Sequence, residues 1–216
     1  MILAVYVTFR FKVSPVSSQI ENYTESKIVV VIDPGHGGSD PGKVGINDAL
    51  EKDINLAIAM KLKELLENEG YEVVLTRKDN NGLYKDSDTN KKVADMKKRC
   101  EIIENAEADI VVSIHQNSYT NESVSGAQVF YYKNSQEGKK LAAAIQEALK
   151  NYLDEDNNRV EKANDSYYML LHTPCPTVIV ECGFLSNYEE AQALITEDYQ
   201  QKVAQAIMMG IEGYFR

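Results

Sequence analysis

Tryptophan is absent from the 216 residues, and histidine and cysteine occur only three times each. The cysteines, Cys100, Cys175 and Cys182, are odd in number and form no C-x-x-C pair. That excludes a disulfide framework and offers no zinc–thiolate pattern, so they are expected as small buried or half-buried thiols. Positive charge is also short. Lys and Arg number 23 against 33 Asp and Glu, a formal net charge of −10. This balance argues against nucleic acid or another polyanion as partner. The one basic run, Lys97-Lys98-Arg99, reads as a solvated helix face. Long apolar stretches are missing too: the run from Met1 to Phe9 is far short of the ~20 residues that span a bilayer. There is no internal repeat and no low-complexity segment.

What remains is ordinary for a globular chain, with 44% apolar and 26% charged residues, and the length suits one domain with a full core. That domain is expected over residues 27–216, behind an extension at 1–26. In the extension the apolar start is followed by Arg10, Lys12 and a linker-like Ser14-Pro15-Val16-Ser17-Ser18. We read it as the remnant of a signal or anchor, and hence as a membrane tether, with an added edge strand as the alternative. The first reading puts the protein outside the cytoplasm.

From Lys27 onward strands and helices alternate. A strand over 28–33 leads into a glycine-rich loop reaching about Asn47. A helix follows over Leu50–Glu69, with Ile54, Ile58, Leu62 and Leu65 on one face and Gly70 as its stop. Tyr71–Thr76 is a second strand, and 78–90 a polar surface loop. A helix over 91–105 carries Val93, Met96, Cys100 and Ile103 on one stripe. Strands are expected at 109–114, 127–132 and 177–180, with a helix at 135–152 bearing Leu141, Ile145, Leu149 and Tyr152. The segment 154–165 reads as loop. Ser186-Asn187-Tyr188-Glu189 matches a capping box, and a last helix over 197–215 buries Val203, Ile207 and Ile211. The alternation predicts an α/β fold: one mostly parallel, twisted sheet with helices on both faces.

In such a sheet ligands bind at the carboxyl ends of the strands. His36 follows the first strand, in Asp33-Pro34-Gly35-His36-Gly37-Gly38. His115 follows the 109–114 strand, Glu181 follows the last strand, and Glu51 opens the first long helix. Two imidazoles and a carboxylate are a standard set for a catalytic zinc that keeps one position open for water, and a second carboxylate could take the proton from that water. The residues are far apart in sequence, so spacing alone does not prove a site. Two competing motifs are weaker. Gly37-Gly38-Ser39-Asp40-Pro41-Gly42-Lys43 nearly matches a phosphate loop, but Val44 stands where Ser or Thr is needed for magnesium. Cys182 could be a nucleophile, yet the adjacent Glu181 raises rather than lowers a thiol pKa.

Four stretches together resemble a known family. They are Val29 to Gly38, Leu50-Glu51-Lys52-Asp53-Ile54-Asn55-Leu56, Ser113-Ile114-His115-Gln116-Asn117, and Val180-Glu181-Cys182-Gly183-Phe184-Leu185-Ser186-Asn187. In this order and spacing they resemble the zinc-dependent N-acetylmuramoyl-L-alanine amidases. The germination-specific enzymes of spore formers look most similar, in part through Asp95-Met96-Lys97-Lys98-Arg99 and Ser113 to Tyr119. The resemblance covers about 27–216 and implies His36, Glu51 and His115 as ligands of one zinc, Glu181 as the catalytic carboxylate, and a six-stranded sheet. It further implies peptidoglycan as substrate, work on the cell-wall or spore-cortex side of the membrane, and an accessory protein of the spore envelope as a partner. One departure is the loop before Glu51, where many relatives carry Gly-x-x-Glu-Lys and this chain has Gly45-Ile46-Asn47-Asp48-Ala49-Leu50.

Asn117 and Gln116 are candidates to bind substrate or to orient His115. Arg77 is a candidate partner for a stem-peptide carboxylate, with a surface salt bridge as its bland alternative. His172 is expected to be structural, and most of Tyr119, Tyr131, Tyr132, Tyr167 and Tyr168 to be half-buried rather than sugar-stacking. Two other functions stay open on the sequence: a zinc peptidase cutting within the stem peptide, and a wall-binding module without catalysis. The oligomeric state is not legible.

Overall fold

A computed structural model describes residues 27–216, so the expectation for 1–26 lies outside the described residues. The strands are β1 Val29–Pro34, β2 Glu72–Leu75, β3 Ile110–Asn117, β4 Gln128–Tyr132, β5 Lys162–Asn164 and β6 Thr177–Phe184. The helices are α1 Glu51–Asn68, α2 Lys91–Asn105, α3 Gln136–Tyr152, α4 Tyr168–His172, α5 Tyr188–Leu194 and α6 Glu197–Phe215. They build a six-stranded sheet of order β2-β1-β3-β6-β4-β5. β2, β1, β3 and β6 run parallel, and β4 is antiparallel to β6.

The β-branched runs sit at the centre because both faces of the sheet are covered, the usual state of parallel strands. Alternation divides their side chains. Val30, Ile32, Ile110, Val112, Ile114, Val178 and Val180 pack with α1, α3 and α6 in the larger core. Val31 and Val111 face the other way, against Ile103 of α2 and Met169 of α4. Asp33, Ser113, His115 and Glu181 fall in this second phase of the alternation. Register then sets Asp33 beside Ser113 and His115 beside Glu181. Pairing of parallel strands thus brings chemistry from distant parts of the chain onto one face.

Several local expectations need correction. β3 and β6 run on to Asn117 and Phe184, because each keeps its neighbour's backbone paired past the apolar run. His115 and Glu181 therefore lie within strands rather than after them. The short β5 arises in the stretch read as loop and α4 in one assigned no element, since neither has a periodic apolar pattern long enough to show. Val93 and Tyr152 are exposed, not core. The cap of α5 is Asn187, which accepts from the Glu190 N–H at 3.0 Å, one residue later than the Ser186 box. Lys97 and Lys98 are solvated as expected, but Arg99 is 1% exposed. It turns inward to meet Asp33, a carboxylate that burial would otherwise strand.

Candidate active site

The site begins where β1 ends. Pro34-Gly35 cannot extend the strand, and His36 adopts a left-handed conformation (φ 64°) that is uncommon for a residue with a side chain. Its Nδ1 lies 3.0 Å from Asp40 Oδ2 and its Nε2 lies 3.2 Å from Glu51 Oε1. Asp40 is held in turn by the Gly42 N–H. Burial disfavours charge on His36, but the Glu51 and Asp40 carboxylates outweigh it and raise its pKa.

Glu51 is the first residue of α1, whose N-terminus is capped by backbone rather than by a side chain. The N–H groups of Glu51 and Lys52 donate to the Lys43 and Pro41 carbonyls. The loop thus seats the helix and aims the carboxylate inward. Glu51 is 2% exposed. Oε2 accepts from Lys43 N at 2.7 Å, and Oε1 accepts from Gln116 N at 3.0 Å and lies 2.9 Å from His115 Nδ1. Burial alone would raise its pKa, but His115 and His36 hold it far below the usual carboxylate range.

The His36 and His115 rings meet edge to face, with centroids 4.9 Å apart. One donor atom from each of His36, Glu51 and His115 lies within 4.8 Å of the others. Two imidazoles and a carboxylate are a fitting donor set for zinc with an open position. The backbone is cut to fit them. A Cβ on Gly35 would overlap the His115 ring, and one on Gly42 (φ 68°) would stand 2.5 Å from Glu51 Oε2 and 2.7 Å from His36 Cδ2.

Glu181 stands outside this cluster, on β6 beside His115. Its side chain is nearly buried and its Oε2 has no hydrogen-bond partner. Burial first, and the Glu51 charge after it, push the carboxyl up to about 7 despite the two histidines. A carboxyl with a free oxygen and a pKa near neutrality suits proton transfer. The cleft has two lobes of about 300 and 370 Å³ that share His36, Asp40, Lys92 and His115. Tyr84, Met96 and Met169 line one; Lys43, Asn117, Tyr167 and Glu181 line the other.

Residues 30–213 match the family model for N-acetylmuramoyl-L-alanine amidase. The chain belongs to the N-acetylmuramoyl-L-alanine amidase family. It is thus a cell-wall hydrolase, of the class that cuts the bond between N-acetylmuramic acid and L-alanine in peptidoglycan. A germination-specific N-acetylmuramoyl-L-alanine amidase of Bacillus subtilis (strain 168) is 37% identical over 190 residues, 87% of this chain and 79% of the relative. The CwlD amidase of Clostridioides difficile, solved in complex with the GerS lipoprotein, superposes with a TM-score of 0.85. It is 44% identical, with 88% of this chain and 98% of that one covered. The AmiC2 amidase of Nostoc punctiforme gives a TM-score of 0.76 at 33% identity, covering 87% and 97%.

The amidase's remaining candidates divide. Asn117 is half-buried and lines the lobe that holds Glu181. Gln116 is 3% exposed, and its amide donates to Asn55 Oδ1 rather than to His115. Its backbone N–H, on Glu51, is what serves the site. The substrate role expected for Arg77 is corrected. It is 2% exposed and its donors are spent on the Pro34, Gly35, Lys52 and Asp79 carbonyls. His172 is exposed, stacks on Tyr168 at 3.9 Å, and does not line the cleft. Cys182 is fully buried and its thiol pKa is pushed up by burial, as a packed residue requires. The unusual loop before Glu51 closes on itself through Gly45 N to Ala49 O. Asp48 takes the left-handed turn there (φ 64°), a conformation Asp tolerates. Sequence reading missed Asp40 and Asn55. Asp40, set among glycines, was the available signal.

Proposed function

We propose that the amidase is zinc-dependent, with His36, Glu51 and His115 as the metal ligands and Glu181 as the general base and acid. The bond cut joins the lactyl carbonyl of N-acetylmuramic acid to the L-alanine of the stem peptide, and the setting is the spore cortex. The observation that carries the reading is a three-donor cluster facing a separate, buried carboxyl with a free oxygen. Zinc, when bound, supplies an acidified water and a Lewis acid for the scissile carbonyl. Asp40 fixes the His36 ring so that Nε2 faces inward. The Lys43 and Gln116 N–H groups donate to the Glu51 carboxylate and fix its orientation. Glu181 Oε2 accepts the proton of the attacking water and returns it to the departing alanine nitrogen. Its burial keeps the basicity that an exposed carboxylate would lose. Asn117, lining the same lobe, is placed to contact the substrate.

The germination-specific relative and the lipoprotein-bound CwlD support a spore role and an envelope lipoprotein as partner. No helix among the described residues is long and apolar enough to cross a membrane. We further propose that residues 1–26 tether the amidase for action at the cortex side of the membrane.

The test is metal content together with a muropeptide profile. Wild-type protein should carry one zinc and release stem peptides with a new L-alanine amino terminus and no new reducing sugar ends. Glu181→Gln should keep zinc and lose turnover, and His36→Ala or His115→Ala should lose both. Unchanged zinc occupancy in the histidine variants would refute the ligand assignment.

A further inference from the structure

The turn that presents His36 has three consecutive carbonyls directed into protein rather than water, and buried side chains satisfy all three. Pro34 O accepts from Arg77 Nε at 2.9 Å and from Arg99 Nη1 at 2.8 Å. Gly35 O accepts from Arg77 Nη2 at 3.0 Å and from Asn55 Nδ2 at 3.1 Å. His36 O accepts from Arg99 Nη2 at 2.6 Å. Arg77, Arg99 and Asn55 are 2%, 1% and 0% exposed. Arg99 is neutralised by Asp33 and Asp95, each at 2.6 Å. None of these residues reaches the reacting groups.

Two of the donors also hold the other ligand-bearing segment. Arg77 Nη2 donates at 2.7 Å to Lys52 O, in the first turn of α1. Asn55 Nδ2, besides holding Gly35 O, lies 3.5 Å from Glu51 Oε1. The same atoms therefore tie the backbone that carries His36 to the helix start that carries Glu51. A left-handed non-glycine residue persists only where its surroundings over-determine it, and here two forked guanidinium groups supply that determination. Structural support alone would need neither the fork nor donors shared between two ligand segments.

We infer that Arg77, Arg99 and Asn55 are positioning residues that set the His36–Glu51 spacing for the metal, an inference that rests on the zinc reading above. Arginine is required because a lysine, a single point donor, cannot span two carbonyls at fixed angles. Lysine would keep the charge opposite Asp33 and lose only the clamp.

The experiment compares Arg99→Lys, Arg77→Lys and Asn55→Ala with Leu149→Ala, a fully buried core position in α3 remote from the site. Each full-length protein is stripped of metal, and its zinc affinity is read by chelator competition alongside melting temperature. The clamp variants should bind zinc 10–100-fold more weakly, as expected when the support of a metal ligand is lost. Leu149→Ala should melt lower and bind zinc as the wild type does. If Arg99→Lys does not fold, Arg77→Lys and Asn55→Ala decide the matter, since both leave the Asp33 pair intact. Wild-type zinc affinity in the folded clamp variants overturns the inference. So does an equal loss of affinity in Leu149→Ala, because general destabilisation would then explain it. A wild-type chain that binds no zinc overturns the parent reading instead, and is distinguished because it shows before any variant is compared.

Discussion

Glu181→Gln should stabilise the metal-free protein while destroying its activity, and the stabilisation should depend on pH. Burial raises the Glu181 carboxyl from 4.5 to about 7, so the folded state prefers it protonated. Below pH 4.5 the group is neutral whether the chain is folded or not and costs nothing. Between 4.5 and 7 the folded state holds more protons than the unfolded one, so stability falls as pH rises. Above 7 the penalty is complete. At ~1.4 kcal/mol per tenfold it amounts to about 3 kcal/mol, from a side chain whose Oε2 has no partner to offset it. Gln fills the same volume and cannot ionise. Denaturant unfolding in chelator should therefore show a gap between the two proteins that grows from under ~1 kcal/mol at pH 5 to ~3 kcal/mol at pH 8.5. In melting temperature this is ~6–12 °C for a chain of this size. Added zinc should shrink the gap, since a nearby dication favours the carboxylate. Turnover of the zinc-loaded variant should drop on the order of 10²–10⁴-fold. A stability gap that stays constant from pH 5 to 8.5 would refute the argument, because Glu181 would then titrate as an ordinary carboxyl.

Gly35→Ala tests the fit of the backbone to His115. The new Cβ would overlap the ring at Cε1 and Nε2 and stand 2.8 Å from Cδ2, where carbons need ~3.5–4.0 Å. The ring must retreat by about an ångström, against the ~0.2 Å tolerance of metal–ligand distances; zinc affinity should fall ~100-fold or more, and wild-type affinity by chelator competition would disprove it. Asp33 governs acid stability. Burial raises its carboxyl, but Arg99, Ser113 and Thr76 outweigh this and hold it at about 2. Its contribution of ~2 kcal/mol is present above pH 3.8 and is lost as pH falls through about 2. Asp33→Asn should weaken the protein at neutral pH and flatten that acid slope; an unchanged slope between pH 4 and 2 would assign it to other groups. The acid limb of kcat/KM should lie at or below about 7 and follow Glu181. A limb that survives in the residual activity of Glu181→Gln would point to a different base.

The sheet and the site were legible to different depths, for physical reasons. Runs such as Val29–Ile32 and Ile110–Ile114 are apolar enough to announce buried strands, and strand–helix alternation then constrains topology. The extensions of β3 to Asn117 and β6 to Phe184 left no such trace. The first carries His115, Gln116 and Asn117 and the second opens with Glu181, polar side chains that line the cleft and break the apolar run, while strand pairing keeps the backbone extended. The same cause hid β5, whose three residues are held by β4 and not by any pattern of their own. His36, Glu51, His115 and Glu181 were found because they recur in a family order. The resemblance also implied their division into three ligands and one catalytic carboxylate; the structure adds the distances, with donor atoms of His36, Glu51 and His115 within 4.8 Å of one another and Glu181 outside that group.

The arginines mark the deeper limit. A charged residue on an amphipathic helix is read as solvated because burying it unpaired is so costly, and for Lys97 and Lys98 that holds. Arg99 breaks the rule because the cost has been met at the other end of the contact, by Asp33 near the end of an apolar strand. Asp33 was therefore the sequence's own signal. A carboxylate flanked by Ile32 and Pro34 in a buried strand must find donors, and Thr76, Ser113 and Arg99 all turn to it at 2.6 Å. Having drawn the guanidinium inside, Asp33 leaves its remaining N–H groups facing the next residues of the same strand end, Pro34 and His36. The buried charge and the presentation of His36 thus share one cause. Replacing Asp33 should disturb metal binding through Arg99 as well as lower stability, although the Asp33 carboxylate bonds to Thr76, Ser113 and Arg99 and to none of His36, Glu51 or His115.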